Sequence, residues 1–182
     1  MLIEKGKSSL VIIDVQEKLV SVIPESHKFI DNIIKLQKAA NILQVPMILS
    51  EQYPKGLGRT IDKIKKNTEE NSIIIEKTSF SLRDKYETKY SINQQCMRQI
   101  IICGIEAHIC VLQTAIEFAN ASVKVYVVQD AVSSRYEKDY LEALRRLDKH
   151  PNIQIVSCEM VLFEWLRTSN HPEFKTISQL IK

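Results

Sequence analysis

The sequence predicts a three-layer αβα fold, Rossmann-like, in which helices cover both faces of a mostly parallel six-stranded sheet. Short runs rich in β-branched residues recur along the 182-residue chain, and helical patterns follow several of them. No Ser/Gly-rich linker interrupts this alternation. Alternating strands and helices in one chain produce a parallel sheet, because each helix returns the chain to the edge where the next strand begins. We therefore expect one domain that spans residues 1–182.

The predicted strands are continuous apolar runs, which is typical of strands buried on both faces of a sheet. These runs cover residues 10–15, 45–49, 73–76, 100–104, 123–128 and 153–156. Apolar residues at the helical period predict a helix of about four to five turns between Phe29 and Leu43. The same period indicates helices that include Leu112 and Leu141, and a terminal helix within residues 171–182 that closes the sheet or packs on a neighbouring subunit.

Composition excludes several binding functions. Only 4 glycines are present, and the close pair Gly56 and Gly58 is followed by Ile61 where a dinucleotide fingerprint requires a third glycine. The net charge of +3 comes from basic residues that alternate with acidic ones, so we predict no nucleic-acid partner. No apolar segment is long enough for a signal peptide or a membrane span, so we predict a cytoplasmic protein without a membrane partner.

The 4 cysteines contain no Cys-x-x-Cys pair, which predicts reduced thiols in the cytosol. Cys103 lies within a predicted strand, and Cys96 and Cys158 lie on or beside helical segments, so we expect these three to pack. Cys110 lies between a predicted buried strand and an amphipathic helix. At the N-terminus of a helix, backbone N–H groups and the macrodipole favour the thiolate form.

Polar side chains follow several predicted strands, and the carboxyl ends of parallel strands share one edge of the sheet, where ligands bind. Asp14 follows strand one, Lys77 follows strand three and Cys110 follows strand four, so a carboxylate, an ammonium and a thiol converge there. Each has a plainer interpretation. Asp14 is also suited to capping a helix, Lys77 to the surface and Cys110 to filling apolar space.

Three segments resemble the signatures of the isochorismatase-like cysteine hydrolases, in matching order and spacing: residues 11–16 (VIIDVQ), 76–80 (EKTSF) and 104–111 (GIEAHICV). Residues 51–58, 130–135 and 171–174 are further similar to the isochorismatase domain-containing branch of that family. The resemblance implies that Asp14, Lys77 and Cys110 are a catalytic triad and that the bond between Ile105 and Glu106 is a cis peptide. It implies amide hydrolysis through a thioester on Cys110, with the oxyanion held by the backbone N–H groups of Glu106 and Cys110.

The remaining site residues have more than one interpretation. Tyr53, Phe80 and His108 are candidate substrate contacts, although they are equally suited to packing or to the surface. Gln16 is a further candidate for substrate binding, where it would orient the site, although it is equally suited to capping a helix. We expect a small-molecule substrate and a homo-oligomer.

Two departures from known family members restrict the reaction. Nicotinamidases of the family carry an Asp-x-His…His metal set after strand two, whereas this chain has Ser50, Glu51 and Gln52 there, so we predict no metal and no cofactor. Isochorismatase itself cleaves a vinyl ether and lacks the cysteine, so Cys110 argues against that reaction. Two alternatives stay open at this point: a catalytically quiet interaction or oligomerisation protein, and a thiol redox protein.

Overall fold

The computed structural model describes residues 1–69, 72–85 and 98–182, and Cys96 lies outside this part of the chain. Within it, six parallel strands form one sheet in the order β3-β2-β1-β4-β5-β6. Their bounds are Ser8–Ile13 (β1), Met47–Gln52 (β2), Ile73–Lys77 (β3), Gln99–Ile105 (β4), Lys124–Ser133 (β5) and Ile153–Val156 (β6). The strand order reverses between β1 and β4, which creates a crevice at their carboxyl ends. The predicted fold class is confirmed.

Helices cover both faces of this sheet. Four precede β3 in the chain, namely α1 (Glu17–Val20), α2 (Ser26–Leu43), α3 (Pro54–Leu57) and α4 (Asp62–Lys65). A wide π-type turn, Ala107–Val111, follows β4 and leads into α5 (Leu112–Asn120). The others described are α6 (Glu137–Asp148), α7 (Cys158–Leu166) and α8 (Phe174–Ser178), with short 3-10 turns at Lys5–Lys7 and Gln179–Ile181. None of the described helices is both long and apolar enough to cross a membrane.

Two hydrophobic clusters lie on opposite faces of the sheet. Because successive side chains of a strand point to opposite faces, Leu10 and Ile12 join one cluster while Val11 and Ile13 join the other. The first cluster includes buried residues of α2, α7 and α8, and the second includes those of α5 and α6. The predicted terminal helix therefore closes one face of the sheet, with Ile177 of α8 buried in it.

The structure corrects the expectation that every strand is buried on both faces. Burial is complete in β1 and β4 and nearly so in β2, but Ile74 of β3 is exposed and β6 is only partly buried. These two strands form the edges of the sheet, where fewer elements pack against them. Strand β5 is longer than predicted: it reaches Ser133 because its pairing with β4 shifts register between Ile102 and Gly104.

Gly104 allows the two central strands to approach closely at the site. Its φ is +112°, a conformation that side chains rarely adopt, and a Cβ added there would lie 2.1 Å from the carbonyl oxygen of Ile13. Strand β4 can therefore run beside the end of β1 only because residue 104 has no side chain.

Candidate active site

Asp14 and Lys77 meet above the carboxyl end of β2. Asp14 directly follows β1 with a left-handed φ of 49°, and Lys77 is the last residue of β3. The Lys77 Nζ donates to Asp14 Oδ2 at 2.7 Å, and both side chains are fully buried. The surface and helix-cap interpretations of these residues are wrong here, because neither side chain reaches solvent and each has its charged partner.

Further oxygens hold the Asp14–Lys77 pair in place. The Ser50 hydroxyl donates to Asp14 Oδ1 at 2.6 Å, so both carboxylate oxygens of Asp14 have partners. The Lys77 ammonium also donates to Gln52 Oε1 at 2.7 Å and lies 3.1 Å and 3.3 Å from the carbonyl oxygens of Phe80 and Ser79. A buried ion pair persists only where such contacts replace water, and here they do.

Cys110 lies in the turn between β4 and α5 and is 6% exposed. The pKa of its thiol is raised to about 12. Burial is the main cause, and the nearby Asp14 carboxylate raises the pKa by more than the Lys77 ammonium lowers it. The charges of both side chains act on the thiol, so the carboxylate, the ammonium and the thiol lie near one another. Desolvation and the Asp14 carboxylate together outweigh the Lys77 ammonium, so this environment favours the protonated thiol over the thiolate that a helix N-terminus would favour.

The segment before Cys110 has a fixed shape. The peptide bond between Ile105 and Glu106 is cis. The Glu106 carbonyl accepts from the N–H groups of Ile109 and Val111, and Glu106 Oε2 accepts from the backbone N and Nε of Arg135 at 2.9 and 3.1 Å. Glu106 is thus held at its backbone by the turn and at its side chain by the segment after β5.

Gln16 joins the loops around the site and faces no open space. Its Oε1 accepts from the Gln52 backbone N–H at 2.7 Å, and its Nε2 donates to the carbonyl oxygens of Gln52 and Gly58 at 3.0 and 2.6 Å. The side chain makes no cap hydrogen bond to α1 and is fully buried. The orienting interpretation of Gln16 therefore fits the structure, and the capping interpretation is wrong.

The other candidate contacts lie on segments next to Lys77 and Cys110. Tyr53 and Phe80 are 54% and 52% exposed, and both are tied by their backbones to Lys77: Tyr53 N–H donates to the Lys77 carbonyl, and the Phe80 carbonyl accepts from Nζ. His108 is half-buried, with Nδ1 2.9 Å from the Ser134 hydroxyl. The Tyr53 ring packs on Gly56, where an added Cβ would lie 2.3 Å from Tyr53 Cε1.

The position of the family's metal set is occupied by an internal network. Glu51 Oε1 accepts from the backbone N–H and the hydroxyl of Thr60, both at 2.8 Å, and Glu51 Oε2 pairs with Arg59 at 2.7 Å. Burial opposes ionisation of Glu51, but these donors prevail and lower its pKa. In the part of the chain that the structure describes, His, Cys, Asp and Glu residues form no cluster of three that could hold a metal ion.

Ser50 and Gln52 are site residues that the sequence did not reveal. Gln52 follows predicted strand two at the ligand-binding edge, but no role was expected of either residue, and both lie in β2 and bond directly to Asp14 and Lys77. Residues two apart in a strand project from the same face of the sheet, and this spacing was the sequence feature that could have linked Ser50 to Gln52. That signal could be used only once β2 was known to extend to Gln52.

A family model described as the isochorismatase domain matches residues 8–159. The match covers most of the chain, so the chain belongs to the isochorismatase family, a family of α/β hydrolases.

Within the family, the chain is similar to isochorismatase domain-containing protein 2 of Danio rerio, with 36% identity over 96% of this chain and 86% of that protein. It is 34% identical to isochorismatase family protein 1B of Dictyostelium discoideum, again over 96% of this chain and 86% of the relative. Among solved structures, the MAR1 ribonuclease of Caenorhabditis elegans superposes with a TM-score of 0.92 at 36% identity. That superposition covers 100% of this chain and 92% of the other.

Proposed function

We propose that this protein hydrolyses a small amide through a thioester on Cys110. The observation that supports the proposal is the buried Asp14–Lys77 ion pair, whose two members both act on the Cys110 thiol. Apolar side chains could fill the positions of Asp14 and Lys77 if these residues had only a structural role, and a buried charge without a partner would destabilise the fold. A carboxylate, an ammonium and a thiol in one dry cluster are the groups that an activated nucleophile requires.

The proposed reaction begins from a neutral thiol. With a pKa of about 12, Cys110 holds its proton at neutral pH until the sulfur attacks. Asp14 accepts that proton as the Sγ–carbon bond forms, which makes Asp14 a general base. Lys77 stays charged and offsets the negative charge that develops on sulfur and on the substrate oxygen.

The first half-reaction makes a thioester and the second breaks it. Attack of Sγ on the carbonyl carbon gives a tetrahedral oxyanion. This species then collapses with cleavage of the carbon–nitrogen bond, and the leaving amine takes the proton from Asp14. A water molecule next attacks the thioester carbonyl while Asp14 accepts its proton. The carbon–sulfur bond breaks, the acid product leaves, and the proton passes from Asp14 to Sγ to restore the thiol.

The oxyanion is proposed to lie against the backbone N–H groups of Glu106 and Cys110. The fixed position of Glu106 supports this assignment, because the turn and Arg135 hold the residue at both ends. An oxyanion site is effective when its donors are in place before the charge develops, and one such donor is worth about 3 kcal/mol of transition-state stabilisation.

The substrate is proposed to enter between Tyr53 and Phe80. These half-exposed rings are attached through their backbones to the segment that holds Lys77, so a planar or apolar group between them would bring its carbonyl toward Cys110. His108 is placed by Ser134 beside the same turn. No metal or cofactor takes part in the proposal, because the Asp14 carboxylate supplies the base and Glu51 is already bonded to Thr60 and Arg59.

The test is hydrolysis of a panel of small amides and ureas, measured as release of ammonia or amine. The wild-type protein should act on at least one member, Cys110→Ala should be inactive, and Asp14→Asn should be reduced by about 10²-fold or more. Equal turnover by the wild type and Cys110→Ala would refute the proposal. Because the Caenorhabditis elegans structure is named a ribonuclease, the panel includes a mixed-sequence RNA, and RNA cleavage that survives Cys110→Ala would replace the proposed function.

A catalytically quiet interaction protein is the competing function, and the same panel separates the two. That protein would leave every amide and urea intact while still forming an oligomer in sedimentation experiments. Self-association, cytoplasmic location and a single domain stay predictions from the sequence.

A further inference from the structure

Strand β2 carries a hydrogen-bonding group for each member of the ion pair. Ser50 Oγ donates to Asp14 Oδ1 at 2.6 Å, and Gln52 Oε1 accepts from Lys77 Nζ at 2.7 Å. Ser50 and Gln52 are two residues apart in one strand, so their side chains project from the same face of the sheet. Strand β2 lies between β1, which ends before Asp14, and β3, which ends at Lys77.

The orientation of each group is set by its own partners. Gln52 Nε2 donates to the Thr78 carbonyl at 2.8 Å, so its oxygen is the atom that faces Lys77. The Gln52 backbone is in turn held at its N–H and its carbonyl by Gln16. Ser50 is 1% exposed, and its donation to Asp14 favours the ionised form of the carboxylate.

We propose that Ser50 and Gln52 are positioning residues for the reaction: Ser50 orients the Asp14 carboxylate and stabilises its charge, and Gln52 holds the Lys77 ammonium against Asp14. This inference rests on the proposed function, because it concerns the proton that Asp14 removes from Cys110. The neighbouring Glu51 has a different task on the loop side, where it bonds Thr60 and Arg59.

The chemistry of the cluster makes the two roles separable. Without the Ser50 hydroxyl, the Asp14 carboxylate loses a hydrogen-bond donor that stabilises its charged form. Without the Gln52 oxygen, Lys77 still has Asp14 and the carbonyl oxygens of Ser79 and Phe80 as acceptors. Its ammonium is then free to turn toward those carbonyls and away from the developing thiolate. Loss of the Ser50 hydroxyl should shift the pH dependence of the reaction of Cys110, whereas loss of the Gln52 oxygen should lower its rate.

Alkylation of Cys110 by iodoacetamide measures both effects without knowledge of the substrate. The Sγ–carbon bond forms, the carbon–iodine bond breaks with loss of iodide, and the thiol proton passes to Asp14. The rate is followed at Cys110 by peptide mass spectrometry between about pH 4 and about pH 9, with Cys110→Ala as the blank. In the wild type, the alkylation rate should rise with pH and then reach a plateau.

Ser50→Ala should move the rise to higher pH by about one unit, which corresponds to loss of a hydrogen bond to a charged group. Ser50→Thr keeps the hydroxyl and should restore the wild-type position. Gln52→Leu should lower the plateau about tenfold, on the same estimate. Ser8→Ala is the matched control, because Ser8 is also buried and hydrogen-bonded, but it lies at the opposite end of β1. Its profile should overlay that of the wild type.

The outcomes distinguish the two proposals. If the wild type shows the rise and plateau while Ser50→Ala and Gln52→Leu overlay Ser8→Ala, the positioning roles are refuted and the proposed function stands. If wild-type Cys110 reacts no faster below about pH 8 than a cysteine of the urea-unfolded chain, the proposed function fails and the positioning roles fail with it. Circular dichroism of each variant excludes unfolding as the cause of a changed rate.

Discussion

Substitution of Gly104 by alanine tests how the two central strands form the site. Gly104 has a φ of +112°, and a Cβ there would lie 2.1 Å from the Ile13 carbonyl oxygen and 2.6 Å from the Ile13 nitrogen. Both atoms belong to the backbone of β1, which pairs with β2 on one side and with β4 on the other. The clash therefore cannot be relieved by rotation of a side chain.

Two costs add up in the Gly104→Ala variant. A non-glycine residue at this φ costs about 1–3 kcal/mol. Forcing an extra methyl group into a packed interior costs a further ~1–3 kcal/mol. We therefore expect the free energy of unfolding to fall by about 2–6 kcal/mol, a large fraction of the ~5–15 kcal/mol that stabilises an ordinary domain. For a chain of this length, the corresponding loss in Tm is about 4–24 °C.

Urea unfolding followed by circular dichroism measures this loss, and Gly6→Ala provides the matched control. A Cβ at Gly6 meets nothing within 4 Å, so this variant should stay within about 0.5 kcal/mol of the wild type. The close approach of β1 and β4 would be refuted if Gly104→Ala unfolded within about 1 kcal/mol of Gly6→Ala.

Three further predictions follow from the buried groups. Lys77→Met should lower the free energy of unfolding by about 3–5 kcal/mol, because it leaves the buried Asp14 carboxylate without its cation; a loss below about 1 kcal/mol in urea unfolding would contradict this. Burial raises the pKa of Cys103 and Cys158, so neither thiol should react with iodoacetamide in the native protein at about pH 8. Both should react after unfolding in urea, and peptide mass mapping detects each label. Because the pKa of Cys110 is raised to about 12, the native state holds this proton more tightly than the unfolded chain does. The wild type should therefore lose stability relative to Cys110→Ala as the pH rises above about 8.5, and parallel curves would refute this.

The sequence predicted the architecture because the central strands are continuous apolar runs, and such runs indicate burial on both faces. The prediction failed at the sheet edges, since the apolar side chain of Ile74 looks the same in the sequence whether or not another element covers it. The short helices near Tyr53 were also missed. They depend on contacts with other loops, such as the hydrogen bond between Gln16 and the Gly58 carbonyl, and have no periodicity of their own.

The candidate site could be located from the sequence because one rule, binding at the carboxyl edge of a parallel sheet, selected Asp14, Lys77 and Cys110. The proton on Cys110 could not be predicted in the same way. Whether a helix terminus or desolvation has the larger effect on the pKa of a thiol depends on how deeply the thiol is buried. The structure places Cys110 in a buried turn before α5 begins. Ser50 and Gln52 were missed because their importance lies in what they bond, which becomes known only when β2 is placed between β1 and β3.

The central claim is that Cys110 carries the acyl group during turnover, and a trapped intermediate tests it most directly. The protein is mixed with an amide that it hydrolyses, quenched in acid within the first turnovers and weighed by mass spectrometry. We expect a gain equal to the mass of the acyl group, mapped to the peptide that contains Cys110 and released by hydroxylamine. Turnover with no adduct at any time, together with undiminished activity of Cys110→Ala, would contradict it.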